Sequence, residues 1–150
     1  MFTRILYPTD FSSVSAKAAD HIRQLKDAGA EEVTVLHVID SAAMMAPATP
    51  GVLGGIGTTP ALSQSVIEDW QRSATEECEG LAESLRPAGL RATAAVEVGR
   101  PADVILELSR DADVIVMGAS GKGHLAELIL GSVSDEVVRK SHIPVLVIKP

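Results

Sequence analysis

Aromatic residues are scarce. Two phenylalanines, one tyrosine and one tryptophan make up 3% of the 150 residues. The core must therefore come from Val, Ile, Leu and Ala, a choice that suits parallel strands covered by helices on both faces. Cys78 is the only cysteine, which excludes an internal disulfide. It lies in a helical pattern and is expected to be buried. With four scattered histidines it forms no metal-ligand spacing. Positive charge is in deficit, with 13 basic against 20 acidic residues and a net charge of −7. Such a surface repels phosphate backbones at long range and argues against nucleic acid as a partner. No run of Lys and Arg marks an anionic membrane, and no apolar run is long enough to span a bilayer. The opening stretch, Met1 to Pro8, is too short in its apolar part for a secretory signal and reads as a strand. A soluble, cytoplasmic protein is expected.

At this length one domain over residues 1–150 is expected, large enough to fold without staples. Ile5-Leu6-Tyr7 is a short strand that Pro8 ends. Thr9, Asp10, Ser12 and Ser13 offer helix caps, and Val14, Ala18, Ile22 and Leu25 trace a helical face. Gly29 stands where a C-cap is expected. Val33 to Ile39 is a second strand. The segment 41–63, with Gly54-Gly55 and three prolines, reads as a long, mobile loop. Ser65 and Glu68 resemble a capping box. Val66, Trp70, Ala74, Cys78, Leu81 and Leu85 trace the buried face of the helix that follows, with Trp70 read as core. Pro87 and Gly89 stop that helix. Ala92–Val98, Asp113–Gly118 and Val145–Ile148 complete the strands, separated by helices that start at Pro101 and near Ser132. Strict alternation predicts an α/β fold with a parallel sheet and right-handed crossovers.

One constellation carries chemistry. The fourth strand ends at Gly118, and Gly121, Lys122 and Gly123 follow. Nine residues separate Gly121 from Gly131-Ser132-Val133-Ser134. Glycines let backbone N–H groups approach a ligand closely. Gly131-Ser132 opens a helix whose free N–H groups and dipole favour an anion. Ser132 and Ser134 add hydroxyls, and Lys122 adds a mobile positive charge. The set suits a triphosphate. For each residue alone, a plain turn or an N-cap at Ser132 is the competing reading. The order Gly-x-x-Gly-x-Gly differs from the dinucleotide fingerprint, and Gly123 stands where a Walker motif needs Ser or Thr.

The spacing Gly-x2-Gly-x9-Gly-Ser resembles the ATP-binding signature of universal stress proteins. Ile5 to Ser12, Leu36 to Asp40, Val98 to Ala102 and Ser141 to Val147 extend the resemblance over the chain outside 41–63. It implies a three-layer, Rossmann-like fold of the adenine nucleotide alpha hydrolase type. Its five-stranded parallel sheet would have the order 3-2-1-4-5. It implies that Pro8, Thr9 and Asp10 hold ribose and adenine edges, with Asp10 accepting from a ribose hydroxyl. Val38 would offer its backbone to the base, and Met117 and Gly118 would line the nucleoside. Gly121, Gly123, Gly131, Ser132, Val133 and Ser134 would hold the phosphates. The ligand is ATP, or AMP or ADP, with any Mg2+ held by the phosphates.

Asp10 also reads as a helix cap, His37 as a satisfied core histidine, and His21 and His142 as surface residues. His124 adjoins the phosphate loop. Three functions follow. One is a nucleotide-binding stress or regulatory protein. The second is a slow ATPase or nucleotidyl-transfer enzyme, for which no group that activates water or an acceptor is evident. The third is a dimerising module with a vestigial pocket, pairing as a homodimer through the edge strand Val145–Ile148.

Overall fold

The computed structural model of the chain describes residues 2–45, 64–119 and 130–150. Its strands are β1 (Arg4–Pro8), β2 (Glu32–Asp40), β3 (Arg91–Gly99), β4 (Val114–Gly118) and β5 (Val145–Ile148). Its helices are α1 (Ser13–Leu25), α2 (Ser41–Met45), α3 (Gln64–Leu85), α4 (Pro101–Leu108) and α5 (Ser132–Lys140). Every strand pairing is parallel, and the sheet order is β3-β2-β1-β4-β5. This is the order that the resemblance implies.

Strand side chains alternate between two cores, as the pleat requires. Ile5, Tyr7, Val33, Val35, Val114 and Val116 face one core, which α1 closes with Ala18, Ala19 and Ile22 and α3 with Cys78, Ala82 and Leu85. Leu6, Leu36, Ile115 and Met117 face the other, closed by Ala102 and Ile105 of α4 and Val137 of α5. The result is a three-layer, Rossmann-like sandwich. Aliphatic and small side chains fill it, with Tyr7 the one large aromatic fully enclosed.

Local chemistry sets the element ends. Of the four cap candidates, Ser12 caps α1, its Oγ accepting from Ser15 N–H at 3.2 Å. Gly29 takes a φ of 99° in the turn after α1, a region that costs a side chain steric strain. Arg86–Ala88 forms a 3-10 turn after α3, and Gly89 leaves it at φ 82°.

Three expectations need correction. Ser41–Met45 is helix, not loop. Asp40 Oδ1 accepts from Ala42 N–H at 2.9 Å, an N-cap bond in front of good helix formers. The rest of the expected loop, 46–63, lies outside the described residues. Second, α3 begins at Gln64, so Ser65 lies inside its first turn rather than capping it. Glu68 there accepts from Gln64 Nε2 at 3.3 Å. Third, Trp70 is not core: it is 41% exposed. The buried stripe of α3 is Ala74, Cys78, Ala82 and Leu85, so packing begins one turn beyond Trp70. Small residues on that stripe let the helix lie close to the sheet. Cys78 is buried as expected, and burial pushes its thiol pKa up to about 11, so it carries little thiolate.

Gly80 sits in the middle of α3 with nothing within 4 Å of where a Cβ would stand. Gly80→Ala is expected to stabilise the protein by about 0.5–1 kcal/mol, because it removes backbone entropy from the unfolded chain without a clash. Urea denaturation should show a higher midpoint at unchanged slope.

Candidate functional site

The sheet reverses its order at β1. β2 lies on one side of it and β4 on the other. β1 and β4 pair only at Ile5↔Val114 and Leu6↔Ile115. Beyond those residues the ladder between them ends, and their carboxyl ends, Pro8 and Gly118, border a crevice. Ligands in open α/β sheets bind at such a switch point.

The turn after β1 is tied down from several directions by Thr9. Its N–H donates to the Leu36 carbonyl at 2.8 Å, the last rung between β1 and β2. Its Oγ1 accepts from Phe11 N–H at 3.0 Å and from Ser15 Oγ at 2.8 Å. Its carbonyl lies 2.8 Å from His37 Nδ1. A carbonyl only accepts, so the His37 proton sits on Nδ1. The Ser15 carbonyl in turn accepts from Tyr7 Oη at 2.7 Å. Burial raises the Tyr7 pKa, which keeps that donor protonated.

Phe11 adopts φ 60°, a region disfavoured for a bulky side chain. Its ring stacks on His37 at 4.5 Å, 24° from parallel. The contacts of Thr9 and His37 hold this strained residue in place. The bend aims Asp10, which accepts from Ser12 N–H through Oδ1 at 3.0 Å. Its Oδ2 has no partner among the described residues. Asp10 is thus a turn residue rather than the cap of α1. His37 is half-buried and satisfied, as expected. His21 and His142 are exposed.

Val38 follows from the register. Leu36 points its peptide groups at β1, and alternate residues of a strand face the same neighbour. Val38 is the next such residue of β2, and β1 has already ended at Pro8. Its backbone N–H and C=O therefore face the crevice. Val38 and Val133 pack against the same cluster that contains Met117. Three candidates from three distant parts of the chain come together there.

The start of α5 forms the other end. Gly131, not Ser132, is the N-cap, and no side chain caps the helix. Its N–H donates to the Ala119 carbonyl at 2.7 Å. The first intrahelical bond is from Asp135 N–H to the Gly131 carbonyl. The N–H groups of Ser132, Val133 and Ser134 thus have no carbonyl partner within the helix. Ser132 is exposed. Ser134 is buried, and its Oγ donates to the Gly118 carbonyl at 2.9 Å. Its proton is spent on tying α5 to β4, leaving its backbone N–H for any anion. Gly121, Lys122 and Gly123, like His124, lie outside the described residues.

Ser15 escaped the sequence reading. Its only signal there was a serine three residues after the Ser12 cap, on the inward side of α1. Gly118 has a role beyond lining a ligand. A Cβ on it would stand 3.0 Å from Ser15 N and 3.2 Å from Ser15 Cα and Val14 C. Thr9 and Phe11 also border a cavity of about 290 Å3 between α1 and α3, with Ala16, Glu77, Gly80 and Leu81. No group of metal-binding side chains occurs among the described residues.

Gly118→Ala sets a methyl group against backbone, so the start of α1 must give slightly. A loss of about 1–3 kcal/mol is expected, the usual range for overpacking. A urea midpoint at the wild-type value would show that the contact is not tight.

Residues 1–149 match the universal stress protein family. Universal stress protein MJ0577 of Methanocaldococcus jannaschii is 37% identical over 158 residues, covering 99% of this chain and 96% of its own. The solved structure of MJ0577 matches with a TM-score of 0.84 at 33% identity, over 100% of this chain and 97% of that one. Universal stress protein YxiE of Bacillus subtilis is 31% identical over 152 residues, covering 99% of this chain and all of its own. A universal stress protein from Archaeoglobus fulgidus, solved in complex with dAMP, shares the fold at a TM-score of 0.59 and 22% identity, over 99% and 98% of the two chains. No described helix is long and apolar enough to cross a membrane. With the sheet order and the crevice already in place, a match over nearly every residue settles the kinship: the chain belongs to the universal stress protein family.

Proposed function

We propose that this protein binds an adenine nucleotide in the crevice between β1 and β4 and acts as a nucleotide-dependent regulator. The carrying observation is the convergence of Val38, Met117 and Val133 on one cluster beside the side-chain-free start of α5. These apolar residues gather near N–H donors that have no partner among the described residues, which is what a base joined to phosphates needs. Two fold neighbours were solved with dAMP and with cAMP, which is in keeping with a purine nucleotide in this architecture. In this reading Pro8, Thr9 and Asp10 hold the nucleoside, and Asp10 Oδ2 accepts from ribose. Gly118 lines it, while Gly131, Ser132, Val133 and the Ser134 N–H hold phosphates. A triphosphate is favoured by Gly121, Lys122 and Gly123 in the sequence, with Mg2+ arriving on the nucleotide. The only carboxylate on the turn is engaged by the turn and the ribose, so binding rather than turnover is proposed. A cytoplasmic location fits this role.

The test is mass spectrometry of nucleotide released from the purified protein, followed by calorimetry with ATP, AMP and adenosine. Ser132→Pro is the informative variant. Position N1 accepts proline, and Gly131 at φ −59°, ψ 158° already has the extended backbone a pre-proline residue needs. The helix should persist while one N–H is lost. ATP affinity is expected to fall about tenfold or more, since a hydrogen bond to a charged group is worth about 1.5–3 kcal/mol. Adenosine affinity should hold, and Ser132→Ala should cost less. Equal ATP affinity in wild type and Ser132→Pro would remove α5 from the site.

The edge supports a homodimer as a companion reading. Among the described residues β5 pairs only with β4, and Leu146 and Val138 are 39% and 41% exposed. An apolar free edge invites strand pairing with a second copy. Light scattering should give a dimer for the wild type and a monomer for Leu146→Lys. A wild-type monomer at high concentration rules the dimer out.

A further inference from the structure

The guanidinium of Arg100 sits between two helices. Arg100 is the N-cap residue of α4, directly after β3 and so at the same carboxyl edge of the sheet as Gly118. Its Nη1 donates to Asp103 Oδ1 at 2.7 Å, and its Nη2 donates to Glu136 Oε2 at 2.5 Å. Glu136 belongs to α5 and also accepts from Lys140 Nζ at 2.6 Å. Its side chain is only 16% exposed, against 55% for Arg100. One carboxylate is thus pulled inward and shared by two cations. Arg100 and Lys140 hold its pKa down at about 2, so it is charged at any ordinary pH.

Glu136 lies four residues after Ser132, one turn or about 6 Å along the axis. A bare carboxylate there would repel an anion at the helix start. Without that pairing the polar ties of the helix start would be those of Ser134 and Gly131. We propose that Arg100 is a positioning residue for phosphate: it couples α4 to α5 through Glu136 and cancels the Glu136 charge beside the phosphate-binding turn. The inference rests on the nucleotide reading above. The arrangement gives Arg100 a task distinct from touching the ligand. Its fork is spent on two carboxylates, and it acts on phosphate only through Glu136.

The experiment is calorimetric titration of ATP and adenosine into wild type, Arg100→Met, Glu136→Gln and the double variant. Arg100→Met is expected to weaken ATP by about twofold to fivefold, up to the size of a charge effect at a helix start. Adenosine affinity stays put. In the Glu136→Gln background the same change has no further effect, because its target is gone. Arg100→Lys keeps the charge without the fork and gives a smaller loss, and it serves if Arg100→Met does not fold. An equal loss of ATP affinity in both backgrounds overturns the inference, since Arg100 then acts without Glu136. A matching loss for adenosine overturns it as well, because the effect is then general loosening. Wild type that binds ATP while Arg100→Met is unmoved sinks this inference alone. Wild type that binds no adenine nucleotide sinks the nucleotide reading, and the inference with it.

Discussion

The hydrogen bonds that converge on Thr9 hold the functional end of the molecule in shape. The backbone N–H, the carbonyl and the hydroxyl of this one buried residue all have partners, drawn from β2, the turn and α1. Buried polar groups are expensive to leave unmade, so these bonds form together or the turn does not form. They fix where α1 begins. Its first turn then lies so close to the end of β4 that a side chain at position 118 would press on its backbone.

Two kinds of physics meet in the crevice. Around Val38 the wall is packed. Val38, Met117 and Val133 take their places from the same apolar cluster that holds α4 and α5 to the sheet. At the start of α5 the contacts are polar and directional. Gly131 is tied to Ala119, Ser134 to Gly118, and Glu136 to Arg100 and Lys140. Each tether uses a group other than the N–H donors of the first turn. The structure thereby anchors the helix start while leaving those donors available. In the proposed nucleotide reading, such an arrangement would bind an anion with little reorganisation.

The strain at Phe11 fits this picture. A bulky residue at φ 60° persists only where its surroundings outweigh the cost. Here the stack on His37 and the bond to Thr9 supply that support. The outcome is a sharp bend that leaves one Asp10 oxygen unengaged by the described residues.

Much of the fold was legible in the sequence because its signals are local. The runs Ile5-Leu6-Tyr7 and Val114 to Met117 announce buried strands, and proline and glycine punctuate them. The glycine-serine spacing pointed to an anion at the start of α5. Other features were illegible because they depend on partners far along the chain. Nothing near Trp70 says that the packed stripe of α3 starts one turn later. Nothing near Ser134 says that its hydroxyl is spent on Gly118, sixteen residues away. The pairing of Arg100 with Glu136 spans thirty-six residues and two helices. The sequence by itself determined the alternation of strands and helices and most of the residues that are buried, because apolar periodicity is written within each segment. Only the tertiary structure decided which hydroxyls, carboxylates and N–H groups are committed and which remain for a ligand, because a hydrogen bond depends on what lies within three ångströms in space.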